Sequence, residues 1–418
     1  MEILKVNGGR KLNGRISLTA AKNSVLPIVA CSLMVKGEIA LKNCAPLNDI
    51  CAMLKIIKSL GGKGEFNQNT IIINTDDADF TPISSNLTGS IRSSVFILGP
   101  LLSRYKKAVV SYPGGCEIGL RPIDLHIYAL RQLGVKIIEE GGYIFCDGAQ
   151  MKPGEVYLDF PSVGATENAI MASALLNGKS VIRNAAREPE ICDLANFINA
   201  MGGKVYGAGG DTIEIEGVKE LRGCEYSPLS DRITAGTVLT ACAICGGEVV
   251  VDKVIPSTLS SVLDKLSRSG SEISVYDESI KIRSNGKIKP IHKIETQPFP
   301  GFPTDMQAQF VAMLTRARGC SLMIENLFES RFKYTNELNK MGAKITVKDR
   351  IAVIKGVSIL RGAEIKAEDL RGGAALVIAS LGAEGESKIF GVEHIDRGYY
   401  LIEQTFSVLG GEIKRKKL

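Results

Sequence analysis

The sequence lacks several features that would place it in a membrane, in a secretory pathway or on nucleic acid. No apolar run approaches the roughly 18 residues that a membrane-spanning helix requires. The first residues, Met1 to Val6, lack a basic segment followed by an apolar core and a cleavage site, so they predict a strand rather than a signal peptide. The net charge of +6 suits small anionic substrates and is too weak to indicate nucleic acid. We therefore expect neither membrane insertion nor nucleic-acid binding.

The histidines and cysteines do not form a metal-binding pattern. The three histidines, at positions 126, 292 and 394, are scattered along the chain. Cys242 and Cys245 form a C-x-x-C pair, but they lie in an apolar helical stretch with no second pair at zinc spacing, which favours core packing. Ten cysteines without an export signal favour a reducing cytoplasm. We expect a cytoplasmic protein with no metal or other cofactor.

A short phrase that ends a helix recurs six times at nearly even spacing. Its copies begin at Leu60-Gly61, Leu133-Gly134, Met201-Gly202, Ser269-Gly270, Met341-Gly342 and Leu409-Gly410, which are 73, 68, 68, 72 and 68 residues apart. Such a period indicates one supersecondary unit of about 70 residues repeated along the chain. A solenoid is one possible packing, but solenoid repeats are shorter, about 20 to 50 residues. Two globular bodies of three units each fit the usual size of a domain.

The third copy shows the layout of a unit most clearly. The pattern predicts a helix over 163–176, a strand over 180–183, a second helix ending at Met201, and strands over 204–206 and 212–215. Each unit thus reads helix, strand, helix, strand, strand. The sequence also predicts that Gly37, Gly178, Gly246, Gly319 and Gly385 close the first helices. In the second unit we expect Gly99-Pro100 to kink the helix.

A charged or hydrogen-bonding residue recurs where the first helix of each unit begins. These residues are Lys22-Asn23, Arg92, Ser162-Val163-Gly164, Asp231-Arg232, Asp305 and Asp369-Leu370-Arg371. Ordinary helix capping explains Asp231 and Asp369. It does not explain Lys22 or Arg92, because the helix dipole disfavours a cation at an N-terminus. A cation there makes sense when an anion lies between it and the helix end, so we predict anion binding at Lys22 and Arg92.

The segment 111–122 is the second candidate for chemistry. It contains three glycines and two prolines, which predict an irregular and mobile loop. Cys116 lies in this loop, whereas most other cysteines lie in apolar stretches. It could be an incidental exposed thiol. Alternatively, Arg121, five residues away, could lower the pKa of the thiol and make it reactive.

The sequences of several segments resemble those of the UDP-N-acetylglucosamine 1-carboxyvinyltransferases, a family of enolpyruvyl transferases. The resemblance covers the whole chain in order. The matching segments are 21–23, Pro113-Gly114-Gly115-Cys116, 121–126, 162–166, 184–190, 302–309, 328–332 and 394–399. The Pro-Gly-Gly-Cys loop and the segment 302–309 argue against the related shikimate-pathway enzyme.

The resemblance implies an α/β fold with two inside-out, barrel-like domains, each built from three of the repeated units. Helices would lie inside and sheets outside. One domain would comprise 22–229 with the Cys116 loop, and the other 1–21 with 230–418. The substrates would meet between the domains. The implied reaction transfers the enolpyruvyl group of phosphoenolpyruvate to the 3′-hydroxyl of UDP-N-acetylglucosamine and releases phosphate. This is the first committed step of peptidoglycan synthesis.

The resemblance also implies roles for individual residues. Asp305 would be the general base, and Cys116 would donate a proton to the methylene carbon and can form a covalent adduct. The catalytic set is Cys116, Asp305, Lys22 and Arg397, of which Lys22 and Arg397, with Arg121, would bind the phosphate of phosphoenolpyruvate. Arg371 is a candidate partner for its carboxylate. The remaining substrate contacts would come from Asn23, Arg92, Arg121, Pro122, Ile123, Asp124, Leu125, Ser162, Val163, Gly164, Leu327 and Arg331.

Two positions depart from the pattern of some relatives, and three rival functions stay open. Phe160 or Pro161 stands where some relatives have a lysine, so a cation for the diphosphate is missing or supplied elsewhere. Leu327 replaces a valine, which only adjusts a sugar contact. The rivals are an enolpyruvyl transferase for another hydroxyl acceptor, a degenerate UDP-sugar sensor, and an RNA-end-processing protein. The last would need a nucleotide-linked histidine and a stronger basic face, and neither is evident.

Overall fold

The six repeated glycines each follow a helix end, as the sequence predicts. The computed structural model describes residues 2–89, 91–112, 114 and 123–417. In every copy of the phrase the second helix of the unit stops one residue before the phrase begins. The first glycine then takes a positive φ, from +87° at Gly61 to +104° at Gly270. This left-handed conformation suits glycine and turns the chain out of the helix into the next strand.

The helices and strands follow the repeat closely. The α-helices are α1 Lys22–Cys31, α2 Asn48–Ser59, α3 Ser85–Thr88, α4 Leu98–Tyr105, α5 Asp124–Gln132, α6 Val163–Ser173, α7 Pro189–Ala200, α8 Arg232–Cys245, α9 Ser260–Arg268, α10 Gln307–Leu314, α11 Thr335–Lys340, α12 Leu370–Leu381, α13 Val392–Ile395 and α14 Ile402–Val408. Short 3-10 segments span Ser32–Met34, Arg92–Ile97, Pro256–Leu259 and Thr304–Met306. The strands are β1 Glu2–Asn7, β2 Leu12–Ser17, β3 Val35–Lys36, β4 Glu38–Leu41, β5 Lys63–Asn67, β6 Thr70–Asn74, β7 Lys107–Ser111, β8 Lys136–Glu140, β9 Tyr143–Asp147, β10 Glu155–Tyr157, β11 Lys179–Arg183, β12 Val205–Tyr206, β13 Thr212–Glu216, β14 Leu221–Arg222, β15 Glu225–Tyr226, β16 Gly247–Asp252, β17 Glu272–Val275, β18 Ser279–Ser284, β19 Lys293–Glu295, β20 Cys320–Ile324, β21 Lys344–Lys348, β22 Ile351–Lys355, β23 Glu364–Lys366, β24 Glu386–Phe390 and β25 Glu412–Lys417.

The third unit confirms the predicted order, and two details of the prediction are wrong. The order is α6, β11, α7, β12, β13, although α6 ends at Ser173 rather than at 176. Four of the five glycines expected to close first helices lie several residues beyond the helix, at the entry to the strand; only Gly246 follows its helix directly. Gly99-Pro100 lies in the first turn of α4, which directly follows the 3-10 segment Arg92–Ile97, and the backbone N–H of Gly99 donates to Oδ1 of Asn168 at 2.7 Å. The kink expected at this position stays a prediction.

The sheets repeat one strand order. In the third unit this order is β10-β11-β13-β12, with β10 parallel to β11 and the other neighbours antiparallel. The first and fifth units follow it as β15-β4-β6-β5 and β19-β20-β22-β21. In the sixth unit the N-terminal strand β1 takes the third-strand position between β24 and β25 and pairs antiparallel with both. The last unit is therefore completed by the beginning of the chain.

The described residues form two compact domains with separate apolar cores. One domain holds residues 19–112, 114 and 123–229, and the other holds 2–18 and 230–417. The sequence placed the first boundary at 21/22 rather than at 18/19. In both domains the first helices of the repeated units are buried on nearly all sides, as α1, α6, α8, α10 and α12 show. A helix that is apolar all round belongs in a core, and the alternately buried strands then cover it from outside. This is the inside-out α/β arrangement predicted above.

Among the described residues, no helix combines the length and apolar character needed to cross a bilayer.

Candidate active site

Asp305 is held between two arginines in the domain that contains residues 230–417. It lies in the 3-10 segment before α10, where its Oδ1 accepts from Nη2 of Arg331 at 2.8 Å and its Oδ2 accepts from Nη2 of Arg371 at 2.7 Å. Both arginine side chains are almost fully buried, with exposed fractions of 2% and 5%, whereas that of Asp305 is 24%. The repeat explains part of this meeting, since Asp305 and Arg371 both begin first helices.

The electrostatics of this cluster favour an ionised carboxylate. Burial alone would raise the pKa of Asp305, but the charges and hydrogen bonds of Arg371 and Arg331 outweigh it and hold the pKa well below its ordinary value. The arginines are not saturated. Nη1 of Arg371 and both Nε and Nη1 of Arg331 are buried without a hydrogen-bond partner among the described residues. Buried donors of this kind suit a second anion, because guanidinium groups bind carboxylates and phosphates in pairs of bonds.

A tyrosine connects this cluster to the segment that carries Arg397. Arg371 stacks over the ring of Tyr399, with 5.3 Å from its Cζ to the ring centroid. The hydroxyl of Tyr399 lies 2.9 Å from Oγ1 of Thr237 and accepts from Nε2 of Gln309 at 3.2 Å. The same amide nitrogen donates to the backbone oxygen of Asp305 at 2.9 Å. Arg397 itself is half-buried and lies two residues before Tyr399.

Glu325 organises the turn that holds Leu327, and sequence reasoning missed it. Its side chain is fully buried and accepts from the hydroxyls of Thr296 and Thr304 at 2.9 Å each. It also accepts from the backbone N–H of Leu327 at 2.9 Å. Thr304 immediately precedes Asp305, so one carboxylate fixes both the Leu327 turn and the start of the Asp305 segment. The signal was an acidic residue directly after the apolar strand β20, where a buried carboxylate needs several donors.

In the other domain, Lys22 lies at the N-terminus of α1, as predicted. Lys22 is 9% exposed, and its Nζ donates to Oδ2 of the buried Asp49 at 3.0 Å. This ion pair is one reason why a lysine can occupy a helix N-terminus. Asn23, the next residue, is exposed. Helix α1 also packs against the 3-10 segment that begins at Arg92.

The N-terminus of α6 lies against a buried neutral histidine. Ser162 caps this helix, with its Oγ accepting from the backbone N–H of Ala165 at 3.4 Å. A Cβ added at Gly164 would lie 2.6 Å from the His126 ring, so only glycine allows this approach. Desolvation, followed by the charge of Arg92, lowers the pKa of His126 to about 3. The structure thus brings Arg92, His126 and the helix end together, and His126 was matched only as part of a segment.

The remaining candidates are partly explained by capping and partly outside the described residues. Asp231 accepts from the backbone N–H groups of Ile233 and Thr234, and Asp369 caps α12 in the same way. Ile123 is buried, and Asp124 and Leu125 begin α5, with Asp124 exposed and Leu125 half-buried. The other predicted site residues lie outside the described residues. They are Cys116, Arg121 and Pro122. In the described ranges, no group of three or more His, Cys, Asp or Glu could hold a metal ion.

Known proteins similar to this chain now decide its family. The family model described as EPSP synthase (3-phosphoshikimate 1-carboxyvinyltransferase) matches residues 6–406. UDP-N-acetylglucosamine 1-carboxyvinyltransferase 2 of Caldanaerobacter subterraneus subsp. tengcongensis is 48% identical over 411 residues, which cover 98% of this chain and 99% of the relative. UDP-N-acetylglucosamine 1-carboxyvinyltransferase 1 of Carboxydothermus hydrogenoformans is 46% identical over 415 residues, covering 99% and 98%. The chain belongs to the family of UDP-N-acetylglucosamine 1-carboxyvinyltransferases.

Solved structures of more distant relatives share the fold. The enolpyruvyl transferase NikO from Streptomyces tendae aligns with a TM-score of 0.89 at 20% identity, covering 100% of this chain and 99% of its own. EPSP synthase from Acinetobacter baumannii aligns with a TM-score of 0.75, also at 20% identity, and both chains are covered completely. At this identity the likeness concerns the fold alone, and it confirms the predicted enolpyruvyl transferase architecture.

Proposed function

We propose that this protein transfers the enolpyruvyl group of phosphoenolpyruvate to the 3′-hydroxyl of UDP-N-acetylglucosamine and releases phosphate. The observation that carries this conclusion is the similarity of nearly the whole chain, at 41–48% identity, to proteins named for that activity. The reaction is the first committed step of peptidoglycan synthesis. A cytoplasmic location is supported by the nine described cysteines, all free thiols, since a reducing compartment keeps thiols free.

The cluster around Asp305 supplies the groups that the reaction requires at the sugar hydroxyl and the carboxylate. Asp305 takes the proton of the hydroxyl while its oxygen bonds to C2 of phosphoenolpyruvate. The unpaired N–H groups of Arg331 and Arg371 suit the substrate carboxylate. When that carboxylate binds beside Asp305 and shares the charge of the arginines, the pKa of Asp305 rises from its depressed value toward the ordinary range. Substrate binding therefore makes Asp305 a stronger base at the moment a base is needed.

Cations and a proton donor complete the reaction at the phosphate and the methylene carbon. Lys22, Arg121 and Arg397 bind the phosphate, whose charge needs several cations. Cys116 gives a proton to C3 as the new C–O bond forms at C2, and it can also add covalently to the enolpyruvyl group. Phosphate then leaves C2 while a proton is lost from C3, which restores the double bond. The product is therefore an enol ether of the sugar in which the C2–C3 double bond is restored.

The UDP-sugar is assigned mainly to the domain that holds residues 19–229. The N–H groups at Ser162, Val163 and Gly164 begin a helix, and such groups suit a diphosphate. Arg92 adds a cation near the same helix end. This supports a diphosphate site despite the absence of a lysine at 160 or 161. The other assigned contacts in this part of the chain are Asn23, Pro122, Ile123, Asp124 and Leu125. Leu327, which belongs to residues 230–417, is assigned as a further sugar contact.

Incubation of the purified protein with both substrates tests this proposal. The expected products are enolpyruvyl-UDP-N-acetylglucosamine, detected by mass, and one phosphate per product molecule. A parallel reaction offers 3-phosphoshikimate as the acceptor, because the family model carries that name. Product from 3-phosphoshikimate but not from the UDP-sugar would overturn the proposal. Binding of UDP-sugar with no phosphate release would favour a sensor instead.

A further inference from the structure

The guanidinium of Arg415 donates all five of its N–H bonds to three carboxylates. Nε donates to Oε1 of Glu403 at 3.0 Å, and Nη2 donates to Oε2 of the same residue at 3.1 Å. Asp396 accepts in bidentate geometry, from Nη1 at 2.8 Å and from Nη2 at 2.7 Å. Nη1 also donates to Oε2 of Glu2 at 3.0 Å. Arginine has five donors in a rigid fork, so this side chain has no capacity left.

The three carboxylates come from separate parts of the unit. Glu2 lies in β1, and Arg415 lies in β25, which pairs antiparallel with β1. Asp396 directly follows α13, and Glu403 lies in the first turn of α14. Arg415 therefore ties both ends of the connection between α13 and α14 to the edge of a sheet. The side chain is 19% exposed, so these charge-assisted bonds are partly shielded from water.

This connection, residues 396–401, carries Arg397 and is anchored on a second side. Tyr399 reaches into the core, where it contacts Thr237 and Gln309. Leu401, just before α14, has a φ of +46°, an unfavourable conformation for a leucine that the surrounding contacts must impose. Arg397 lies between the two anchors, one residue after Asp396. These two anchors can hold segment 396–401 in one conformation although it forms neither a helix nor a strand.

We propose that Arg415 is a positioning residue, which fixes segment 396–401 and thereby aims the guanidinium of Arg397 at the phosphate of phosphoenolpyruvate. The inference rests on the proposed function, since it takes Arg397 as a phosphate ligand. Arg415 itself touches no substrate. Its removal leaves three carboxylates facing one another, and their repulsion moves Asp396 and the residue that follows it. Lysine cannot replace it, because its ammonium group has three donors instead of five and no planar fork, so it cannot hold Asp396 and Glu403 by both oxygens at once.

Steady-state kinetics of Arg415→Lys and Arg415→Ala test the proposal. The KM for phosphoenolpyruvate should rise about tenfold or more, since misplacement of a binding group by about 1 Å can cost up to a hundredfold. The KM for UDP-N-acetylglucosamine should stay within about twofold. Arg10→Ala is the matched control: it removes an ion pair to Glu412 on the same strand, 2.5 Å long, but leaves Asp396 bound. This control should keep both KM values. Equal changes in both KM values for Arg415→Lys would overturn the proposal.

A double-mutant cycle separates positioning from general destabilisation. In an Arg397→Ala background, Arg415→Lys should change kcat/KM for phosphoenolpyruvate by less than about twofold, because the group that it positions is already gone. A loss as large as in the wild-type background contradicts the positioning role. The proposed function fails separately, because wild-type protein then forms no product. If product forms but Arg397→Ala keeps a normal KM for phosphoenolpyruvate, Arg397 is not a phosphate ligand and the positioning role of Arg415 fails with it.

Discussion

Replacing Asp305 by Asn should destabilise the folded protein strongly as well as impair catalysis. The change removes a negative charge from between Arg331 and Arg371 and keeps the size of the side chain. Both guanidinium groups then stay buried, facing each other without their shared counter-ion. Breaking a buried ion pair by removing one partner leaves an uncompensated charge, which costs more than the pair itself contributed.

The hydrogen bonds of the cluster give the magnitude. One of the two bonds, at 2.7 and 2.8 Å, is lost because the amide nitrogen of Asn cannot accept, and the other weakens because the amide oxygen is uncharged; each bond to a charged group contributes about 1.5–3 kcal/mol when buried. The side chain of Asp305 is 24% exposed, so the lower part of the summed range applies, about 3 kcal/mol. For a domain of this size, a loss of 1 kcal/mol in the free energy of unfolding lowers the melting temperature by about 2–4 °C. We therefore expect a decrease of about 6–12 °C.

The pH dependence of this difference follows from the lowered pKa of Asp305. A carboxyl whose pKa is depressed in the folded protein contributes stability above its ordinary pKa of 3.8 and loses it as the pH falls through the folded value. The difference between wild type and Asp305→Asn should therefore be constant from about pH 5 to 8 and narrow only below about pH 4. Scanning calorimetry at several pH values measures it directly.

A matched substitution on the surface serves as the control. Asp252 pairs with Arg15 at 3.3 Å, but the Arg15 side chain is 68% exposed. Asp252→Asn should cost less than about 1 kcal/mol, as exposed ion pairs do. If Asp305→Asn lowers the melting temperature no more than Asp252→Asn, the two buried arginines do not depend on Asp305 and the reasoning is refuted.

Two further predictions concern single side chains. The ring resonances of His126 should not titrate between about pH 5 and 9, because burial and Arg92 hold its pKa at about 3; a titration near pH 6.5 would contradict a neutral buried ring. Cys116 should be the thiol that the epoxide fosfomycin alkylates, whereas burial raises the pKa of Cys44 to about 12 and protects it. Cys116→Asp should resist the epoxide yet keep turnover, since a carboxylic acid can also deliver a proton; peptide mapping and a phosphate-release assay check both parts.

The repeated unit could be predicted from the sequence because its signals are local. Glycine after a helix and an apolar stripe along one face each depend on a few neighbouring residues, and both reappear in the structure. The completion of the sixth unit by β1 depends instead on a pairing between the two ends of the chain. Leu4 pairs with Arg415 and with Ile389, and no local pattern specifies such partners.

The candidate site divides in the same way. Asp305 and Arg371 could be predicted because both stand where a first helix begins. Arg331 was reached only through the family resemblance, since it lies in no repeated position. Glu325 and Arg415 were missed altogether, because a buried charge is recognised by its partners, and those partners come from distant segments. Sequence reasoning thus located helix-end residues and missed the side chains that hold them in place.

The arrangement of Arg331 and Arg371 leads to a last prediction about substrate binding. In the wild-type protein an incoming carboxylate competes with Asp305 for the positive charge of the same guanidinium groups and is repelled by it, which weakens its binding. In Asp305→Asn this competition is absent and the arginines lack an anion. Phosphoenolpyruvate should therefore raise the melting temperature of Asp305→Asn more than that of the wild type, because stabilisation grows with the ratio of ligand concentration to Kd. Thermal shift assays over a range of phosphoenolpyruvate concentrations, with sodium chloride at equal ionic strength as the control, compare the two proteins. A smaller shift in Asp305→Asn than in the wild type would mean that the substrate carboxylate binds elsewhere.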